Sequence, residues 1–206
     1  MAEPHSLAQT APEVSLGDLI VKAKEGDLQA FHGLYDHFAK RLLNFSYKLL
    51  GNREEAEDVV QDTFTAVFRK LKSLKEESRF EAWIFRIARN FIYLRYRNRT
   101  GENISLETDE ELESETRGLE APGKSPEEAV LADELKDVVG KVIRALPDKY
   151  RDVFVLSAIM GFSYQDIAEI TEKSIPSVKT DIHRARLEAR EKIKHYLDMK
   201  SDEQVH

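Results

Sequence analysis

Apolar residues recur along this chain at every third or fourth position, the spacing that places them on one face of a helix. The alternating pattern of a half-buried β-strand is almost absent. Helix starts are marked by side chains whose oxygen can accept the free backbone N–H groups of a first turn, at Ser15, Asp27, Asn52 and Ser78. We therefore predict an all-α fold.

The apolar stripes predict a compact first unit of four helices. The second helix ends at Gly51. Its apolar stripe comprises Phe31, Leu34, Tyr35, Phe38, Leu42, Phe45 and Leu49. The third helix, residues 53–71, has a stripe of Ala56, Val60, Phe64, Val67 and Leu71. The fourth helix, residues 79–98, is predicted to bury Phe80, Ile84, Ile87 and Phe91, with Trp83, Phe85 and Tyr96 at the flanks.

An acidic segment that is poor in aromatic residues follows and predicts a flexible linker, because it cannot bury enough apolar area to order itself. A second capping signature at Ser125 and further apolar stripes predict another small helical unit of four helices. The predicted organisation is two small helical domains with a leader at 1–15, a first domain at 16–99, the linker at 100–125, a second domain at 126–197 and a tail at 198–206.

A net charge of −7 argues against nucleic-acid binding, but the charge is segregated. Residues 102–134 hold twelve acidic and two basic residues, whereas residues 79–99 hold six basic residues and one acidic residue. The chain has no cysteine, which excludes disulfides and thiolate metal sites. The N-terminus resembles no signal peptide, and no apolar run approaches the ~20 residues of a membrane span, so we expect a cytoplasmic protein without membrane insertion.

The stretch between Gly161 and Leu187 predicts a helix-turn-helix. Ser163 and Asp166 form a capping box for its first helix, and Pro176 marks the first turn of its second helix. A buried stripe is predicted at Val178, Ile182, Ala185 and Ala189. The outward set is rich in donors for phosphate oxygens and base edges and comprises Ser177, Lys179, Thr180, Asp181, His183, Arg184 and Arg186.

Two further polar faces lie on the third and fourth helices. An acidic face on the third helix suits a protein partner and comprises Asp58, Gln61, Asp62 and Thr65. A basic and aromatic face on the fourth helix suits a nucleic-acid strand with unstacked bases, and it comprises Arg86, Arg89, Asn90, Tyr93 and Arg97. Two DNA-binding units joined by a tether can engage separated sites together.

Four motifs in order resemble the extracytoplasmic-function sigma factors of bacteria, over roughly residues 20–195. They are AEDVVQDTF, FEAWIFRIARN, LPDKYRDVFVL and the FSYQDIAEI…VKTDIHRAR pattern. The resemblance implies a specificity subunit of RNA polymerase, without catalytic site, metal or cofactor. Its implied partners are core RNA polymerase, promoter DNA and an anti-sigma factor.

The resemblance also implies roles for these faces. The acidic face would bind the clamp helices of the polymerase largest subunit, and the first domain would melt and read the -10 promoter element. The loop before the fourth helix would capture a flipped base through Lys72, Ser73, Ser78 and Arg79. The outward helix-turn-helix residues, foremost Lys179, Thr180, His183 and Arg184, would read the -35 element as duplex.

Three positions depart from the family pattern. Leu94 replaces an aspartate, Glu172 replaces a turn glycine, and Asp181 stands where arginine is common. Since a carboxylate in a major groove repels phosphate, we expect Asp181→Arg to strengthen duplex binding broadly.

Other functions remain open at this point. A helix-turn-helix regulator would bind DNA without recruiting polymerase. A helical enzyme lacks support, because the six histidines are scattered and no phosphate-binding glycine loop is present. A protein-binding adaptor would not need the arginine-rich fourth helix and should show no salt-dependent DNA affinity.

Overall fold

The computed structural model describes residues 15–101 and 138–203. Residues 1–14, most of the predicted linker, the helix start at Ser125 and the last three residues lie outside this part of the chain. The described residues form helices and turns without any strand, which confirms the all-α prediction. The helices are α1 (Leu16–Glu25), α2 (Leu28–Leu50), α3 (Arg53–Lys70), α4 (Phe80–Gly101), α5 (residues 138–144), α6 (Asp148–Phe154), α7 (Tyr164–Thr171) and α8 (Ile175–Glu203).

The sequence signals for helix starts are mostly realised. The side chains of Ser15, Asp27 and Asn52 each accept a backbone N–H of the helix that follows. Ser78 differs, since it lies inside a 3₁₀ turn, Glu77–Arg79, and α4 begins directly after that turn at Phe80. The loop before α4 is therefore partly ordered by its own backbone hydrogen bonds.

The core of the first domain is built mainly by α2, α3 and α4, with α1 packed on α2. The predicted stripe of α3 is buried along its full length, as are most members of the α2 stripe. Tyr35 is an exception and is exposed. In α4 the predicted Phe80 and Ile84 are buried, but further along the helix Ala88 and Ile92 are fully buried in place of Ile87 and Phe91, and Phe85 is fully buried as well. Phe85 is thus a core residue and not a flank of a DNA face, and Ile87 is only half-buried.

The second domain packs α6, a π-helical turn (Val155–Ile159), α7 and α8 around a small core. The predicted stripe of α8 is confirmed, with every member buried: Val178, Ile182, Ala185 and Ala189. Arg151 in α6 closes the end of the preceding helix by donating to the carbonyl oxygens of Arg144 at 2.7 Å and Leu146 at 2.8 Å. These bonds satisfy carbonyls that a helix end leaves without partners.

The two domains pack against each other, chiefly through α4 and α7. Phe85 of α4 meets Phe162 edge to face, with ring centroids 4.8 Å apart. The guanidinium of Arg41 in α2 lies over both rings, 5.5 Å and 5.8 Å from their centroids. Buried residues of both domains consequently form one continuous apolar cluster.

The turn of the helix-turn-helix explains why glycine is customary there. Glu172 follows α7 with φ 57° and ψ 35°, a left-handed conformation that costs a residue with a Cβ about 1–2 kcal/mol. Glu172→Gly removes this strain but adds freedom to the unfolded chain. We expect a net stabilisation of about 0.5–1 kcal/mol, or a melting temperature ~2–4 °C higher. Glu188→Gly, inside the exposed part of α8, is the matched control and should destabilise by about 1 kcal/mol.

Candidate nucleic-acid and protein interfaces

The acidic face of α3 is presented to solvent, but two of its carboxylates share a cation. Arg95 of α4 donates to Asp62 Oδ2 at 3.2 Å and 3.3 Å, and its guanidinium lies 3.4 Å from Asp58 Oδ2. Gln61 and Thr65 are exposed beside this group. The face is therefore a mixed polar surface, in which Arg95 fixes the carboxylates and reduces their net charge.

An aromatic groove adjoins this face and has no counterpart in the sequence-based prediction. It lies between α2 and α3, encloses roughly 1000 Å³, and includes Gln61 and Thr65 in its lining. Four aromatic rings form its apolar wall: Phe31, Tyr35, Phe64 and Phe68. Phe68 packs edge to face on Phe31, with centroids 5.2 Å apart, yet is 59 % exposed. An exposed aromatic cluster bordered by polar groups is typical of a protein-binding surface. The signal in the sequence was an aromatic residue, Phe68, outside the core stripe of α3.

The loop before α4 is held by α1. Lys24 Nζ donates to the Leu74 carbonyl at 2.9 Å and to Glu77 Oε1 at 2.6 Å. The Lys24 hydrogen bond lowers the pKa of Glu77, so this carboxylate stays ionised. We name this arrangement the Lys24 anchor. Sequence reasoning did not find it, because its two ends lie about fifty positions apart in the chain.

Predicted base-capture residues are carried by this anchored loop. Lys72, Ser73 and Ser78 are exposed, and the Ser73 hydroxyl donates to the Lys70 carbonyl at 2.6 Å. Arg79 also faces solvent in part, but its guanidinium pairs with Glu76 and with Glu169 of α7. The hydrogen bonds to these two carboxylates raise the pKa of Arg79 above its ordinary value.

The predicted face of α4 is covered in part by the second domain. Arg89 donates to Asp152 Oδ2 at 2.7 Å and is only 15 % exposed. The Tyr93 hydroxyl donates to the same oxygen at 3.0 Å. Arg86 lies 3.9 Å from Glu172. In this arrangement Arg86, Arg89 and Tyr93 are half-buried, and Asn90 and Arg97 are the exposed members of the predicted face.

Asp152 is the centre of a buried polar network. Its side chain is 2 % exposed and accepts from Arg89, Tyr93 and the backbone N–H of Val153. Burial, and then the negative charge of Asp152, raises the pKa of Tyr93 well above its ordinary range. Tyr93 therefore remains a neutral hydrogen-bond donor at every physiological pH.

Most of the residues predicted to contact DNA lie close together on the helix-turn-helix. Ser163 and Asp166 form the predicted capping box at the start of α7. Along α8, exposed side chains are Lys179, Thr180, His183, Arg184 and Arg186, with Ser177 half-buried. The Arg184 guanidinium lies 3.4 Å from the Tyr150 hydroxyl, and this hydrogen bond raises the pKa of Arg184. A single cationic surface of α8 is thus available to a DNA duplex.

Asp181 does not belong to that surface, and its assignment as an outward DNA contact is wrong. The residue is 4 % exposed, and its carboxylate accepts from Lys173 Nζ at 2.9 Å. Lys173 lies in the turn and also approaches the Lys149 carbonyl, at 3.5 Å. The ion pair therefore ties the turn to α8. Position 181 lies at the border of the buried and exposed faces, where periodicity alone does not assign a side.

Neither a metal site nor a membrane span is found in residues 15–101 and 138–203. No group of three or more histidine, aspartate and glutamate side chains there could hold a metal ion. None of the described helices combines the length and the apolar character needed to cross a membrane.

Comparison with known proteins divides the chain into two parts that correspond to the two helical domains. The family model "Sigma-70 region 2" matches residues 34–102, and "Sigma-70, region 4" matches residues 136–188. The ECF RNA polymerase sigma factor SigW of Bacillus subtilis is 33 % identical over 191 residues, which are 88 % of this chain and 98 % of that protein. The RNA polymerase sigma-H factor of Pseudomonas aeruginosa is 30 % identical over 172 residues, 82 % of this chain and 88 % of that protein.

Two solved structures of protein complexes contain a chain with the same fold. CnrH in complex with the cytosolic domain of CnrY has a TM-score of 0.63 and 25 % identity, covering 87 % of this chain and 97 % of the solved one. The sigma factor RpoE of Bartonella quintana, in complex with the anti-sigma factor NepR, has a TM-score of 0.61 and 27 % identity, covering 81 % and 98 %.

Proposed function

Because the chain belongs to the sigma-70 family, as an extracytoplasmic-function sigma factor, we propose that its three surfaces divide the work of transcription initiation. The protein directs core RNA polymerase to promoters. One surface docks on the polymerase, another engages the -10 element and a third engages the -35 element. The single observation that carries this division is the placement of a polar docking face and a cationic α8 on separate domains of one chain.

The docking surface comprises the acidic face of α3 and the adjoining aromatic groove. Asp58, Gln61, Asp62 and Thr65 supply its polar rim, and Phe68 supplies an exposed apolar anchor. Polar rims around aromatic anchors are the arrangement in which a few residues carry most of the binding energy. The partner is the polymerase clamp.

The -10 surface combines the anchored loop with the polar face of α4. Lys72, Ser73, Ser78 and Arg79 border the position proposed for a flipped base. The strand beyond it would run along α4, over Arg86, Arg89, Asn90, Tyr93 and Arg97. Support comes from the exposure of the loop residues and from the fixed position that the Lys24 anchor gives the loop.

The -35 surface is the exposed part of α8. Arg184 is an exposed member of this surface, and its substitution tests the surface. Arg184→Ala is expected to cost about 1–3 kcal/mol of binding to a -35 duplex, or roughly fivefold to 150-fold in affinity. Fluorescence anisotropy across a salt series measures this loss. Arg190→Ala, another exposed arginine later in α8, is the control and should change affinity less than threefold. An equal loss in both variants would contradict the assignment of Arg184.

Run-off transcription with core polymerase on promoter libraries tests the proposed function as a whole. The purified chain should make core polymerase initiate at promoters that share -10 and -35 sequences. A DNA-binding regulator that recruits no polymerase would bind the same DNA without yielding transcripts. Failure of initiation with active core enzyme would overturn the proposal.

Sigma factors are non-enzymatic subunits of RNA polymerase, and we infer that this chain has no active site of its own and works in the cytoplasm beside the polymerase. RpoE of Bartonella quintana was solved with an anti-sigma factor. We infer that an anti-sigma factor also binds this chain and competes for its polymerase and DNA surfaces.

A further inference from the structure

The residues proposed to border the flipped base lie on two short 3₁₀ turns. The first turn spans Leu71–Ser73 and the second spans Glu77–Arg79. Residues 74–76 join the two turns in non-helical backbone. The four bordering residues are divided equally, with Lys72 and Ser73 on the first turn and Ser78 and Arg79 on the second. The proposed base pocket therefore has two halves, and its width depends on how the turns are held relative to each other.

Lys24 of α1 bonds to both turns at once. Its ammonium group donates to the carbonyl oxygen of Leu74, directly after the first turn, at 2.9 Å. It also donates to Oε1 of Glu77, at the start of the second turn, at 2.6 Å. Because the ammonium group is a compact donor at a single point, the two acceptors cannot move apart without the loss of one hydrogen bond.

The rest of the loop is attached to the core at other points. Leu71 and Phe80 are buried and fix the outer ends of the two turns, and the buried Leu74 side chain fixes the inner end of the first turn. The inner end of the second turn, at Glu77, is half-buried and is joined to α1 by Lys24. Loss of Lys24 would therefore loosen the second turn against the first, while the apolar core of the domain stays in place.

We propose that Lys24 is a positioning residue for -10 recognition, which sets the base that the pocket accepts at the flipped position by fixing the second turn against the first. This inference rests on the proposed function, because it takes the loop before α4 as the site of base capture. An extruded base is read in a closely fitting pocket by hydrogen bonds to its edge. Such bonds need groups held to within about 0.5 Å, so a loosened turn would admit more than one base.

The charges of the two partners alone would have a different effect. Lys24→Met removes a cation and would weaken binding of a DNA strand, whereas Glu77→Ala removes an anion and would strengthen it. Both effects would be equal at all positions of the strand, since attraction to phosphate carries no sequence information. Positioning instead makes the two substitutions act in the same direction and at one position, because each breaks the same hydrogen bond.

The test measures base preference at each position of a single strand. Core polymerase loaded with the full chain selects from single-stranded DNA of about 12 randomised nucleotides, and sequencing gives the preference at each position. The variants are Lys24→Met, which keeps an unbranched side chain, Glu77→Ala and the two combined. Lys22→Met is the matched control, because Lys22 is an exposed lysine of the same helix. Scanning 2-aminopurine along the selected strand in a promoter duplex identifies the flipped position by its rise in fluorescence.

We expect the wild type to prefer one base at the flipped position by about tenfold or more. This preference should fall below about threefold in Lys24→Met and in Glu77→Ala, and no further in the combined variant, because both remove one joint constraint. Preferences at the other positions should stay within about twofold of the wild type, and Lys22→Met should match the wild type throughout. Wild-type preference in Lys24→Met, or an equal loss at every position, would overturn the proposal.

Two further measurements separate this inference from the proposed function and from stability. A wild-type chain that selects no sequence and does not support run-off transcription removes the proposed function. Normal selection and initiation by the wild type, with unchanged preference in Lys24→Met, removes the role of Lys24 alone. A partly exposed ion pair contributes little to stability, so the melting temperature of Lys24→Met should stay within ~4 °C of the wild type. A larger fall, together with unchanged base preference in Glu77→Ala, would overturn the proposal.

Discussion

Replacing Asp181 by arginine is expected to destabilise the helix-turn-helix, against the expectation from sequence that it strengthens DNA binding. The carboxylate of Asp181 is buried and pairs with Lys173 at 2.9 Å. Arginine would place a second cation beside Lys173, at a position where the side chain of residue 181 is only 6 % exposed. Breaking a buried pair in this way costs about 3–5 kcal/mol. Since Lys173 is 26 % exposed, we expect the lower end of that range.

Urea unfolding, followed by far-UV circular dichroism, measures this loss, and binding to a -35 duplex should fall at least tenfold. The matched control replaces both partners with apolar side chains of similar length, Lys173→Met with Asp181→Leu. This variant should recover most of the stability, because no charge is left buried without a partner. An arginine variant of wild-type stability that binds duplex more tightly would restore the earlier interpretation.

Replacing Phe68 by serine should remove most of the affinity for core polymerase while leaving the fold intact. Phe68 is 59 % exposed, so its truncation costs the folded chain little. In the complex the same ring would be covered, and truncating a buried aromatic anchor costs about 2 kcal/mol or more. We expect at least a 30-fold weaker complex, measured by titration of labelled protein with core polymerase.

Val21→Ser is the control for Phe68→Ser. Val21 is an exposed apolar residue of α1 in the same domain, outside the lining of the aromatic groove. This variant should bind core polymerase within twofold of the wild type. Equal binding by the Phe68 variant and the wild type would limit the docking surface to the acidic face of α3.

Helix positions were readable from sequence because their causes are local. The caps at Ser15, Asp27 and Asn52 and the buried stripes of α3 and α8 depend on residues three or four positions apart. The helix-turn-helix was predictable for the same reason. The stripe of α4 was predicted correctly only at Phe80 and Ile84, because aromatic residues occupy both the core side of the helix and the side that meets α7, and apolar spacing does not distinguish two buried sides.

The candidate surfaces were predictable only where they depend on a single helix. Exposure of Lys179, His183 and Arg184 follows from the α8 stripe alone. The pairing of Arg89 with Asp152 joins residues 63 positions apart and depends on how two domains pack. The aromatic groove likewise needs two helices side by side. Interactions between distant parts of the chain are set by tertiary packing, and a single sequence gives no measure of them.

The Lys24 anchor places a constraint on how this protein can diverge. One ammonium group serves both a backbone carbonyl and a carboxylate across two separate parts of the chain. A descendant that loses the lysine leaves Glu77 as an unmatched negative charge close to where nucleic acid is proposed to bind. Selection should therefore favour exchange of positions 24 and 77 together, so that α1 would be inherited as a support of the proposed -10 surface.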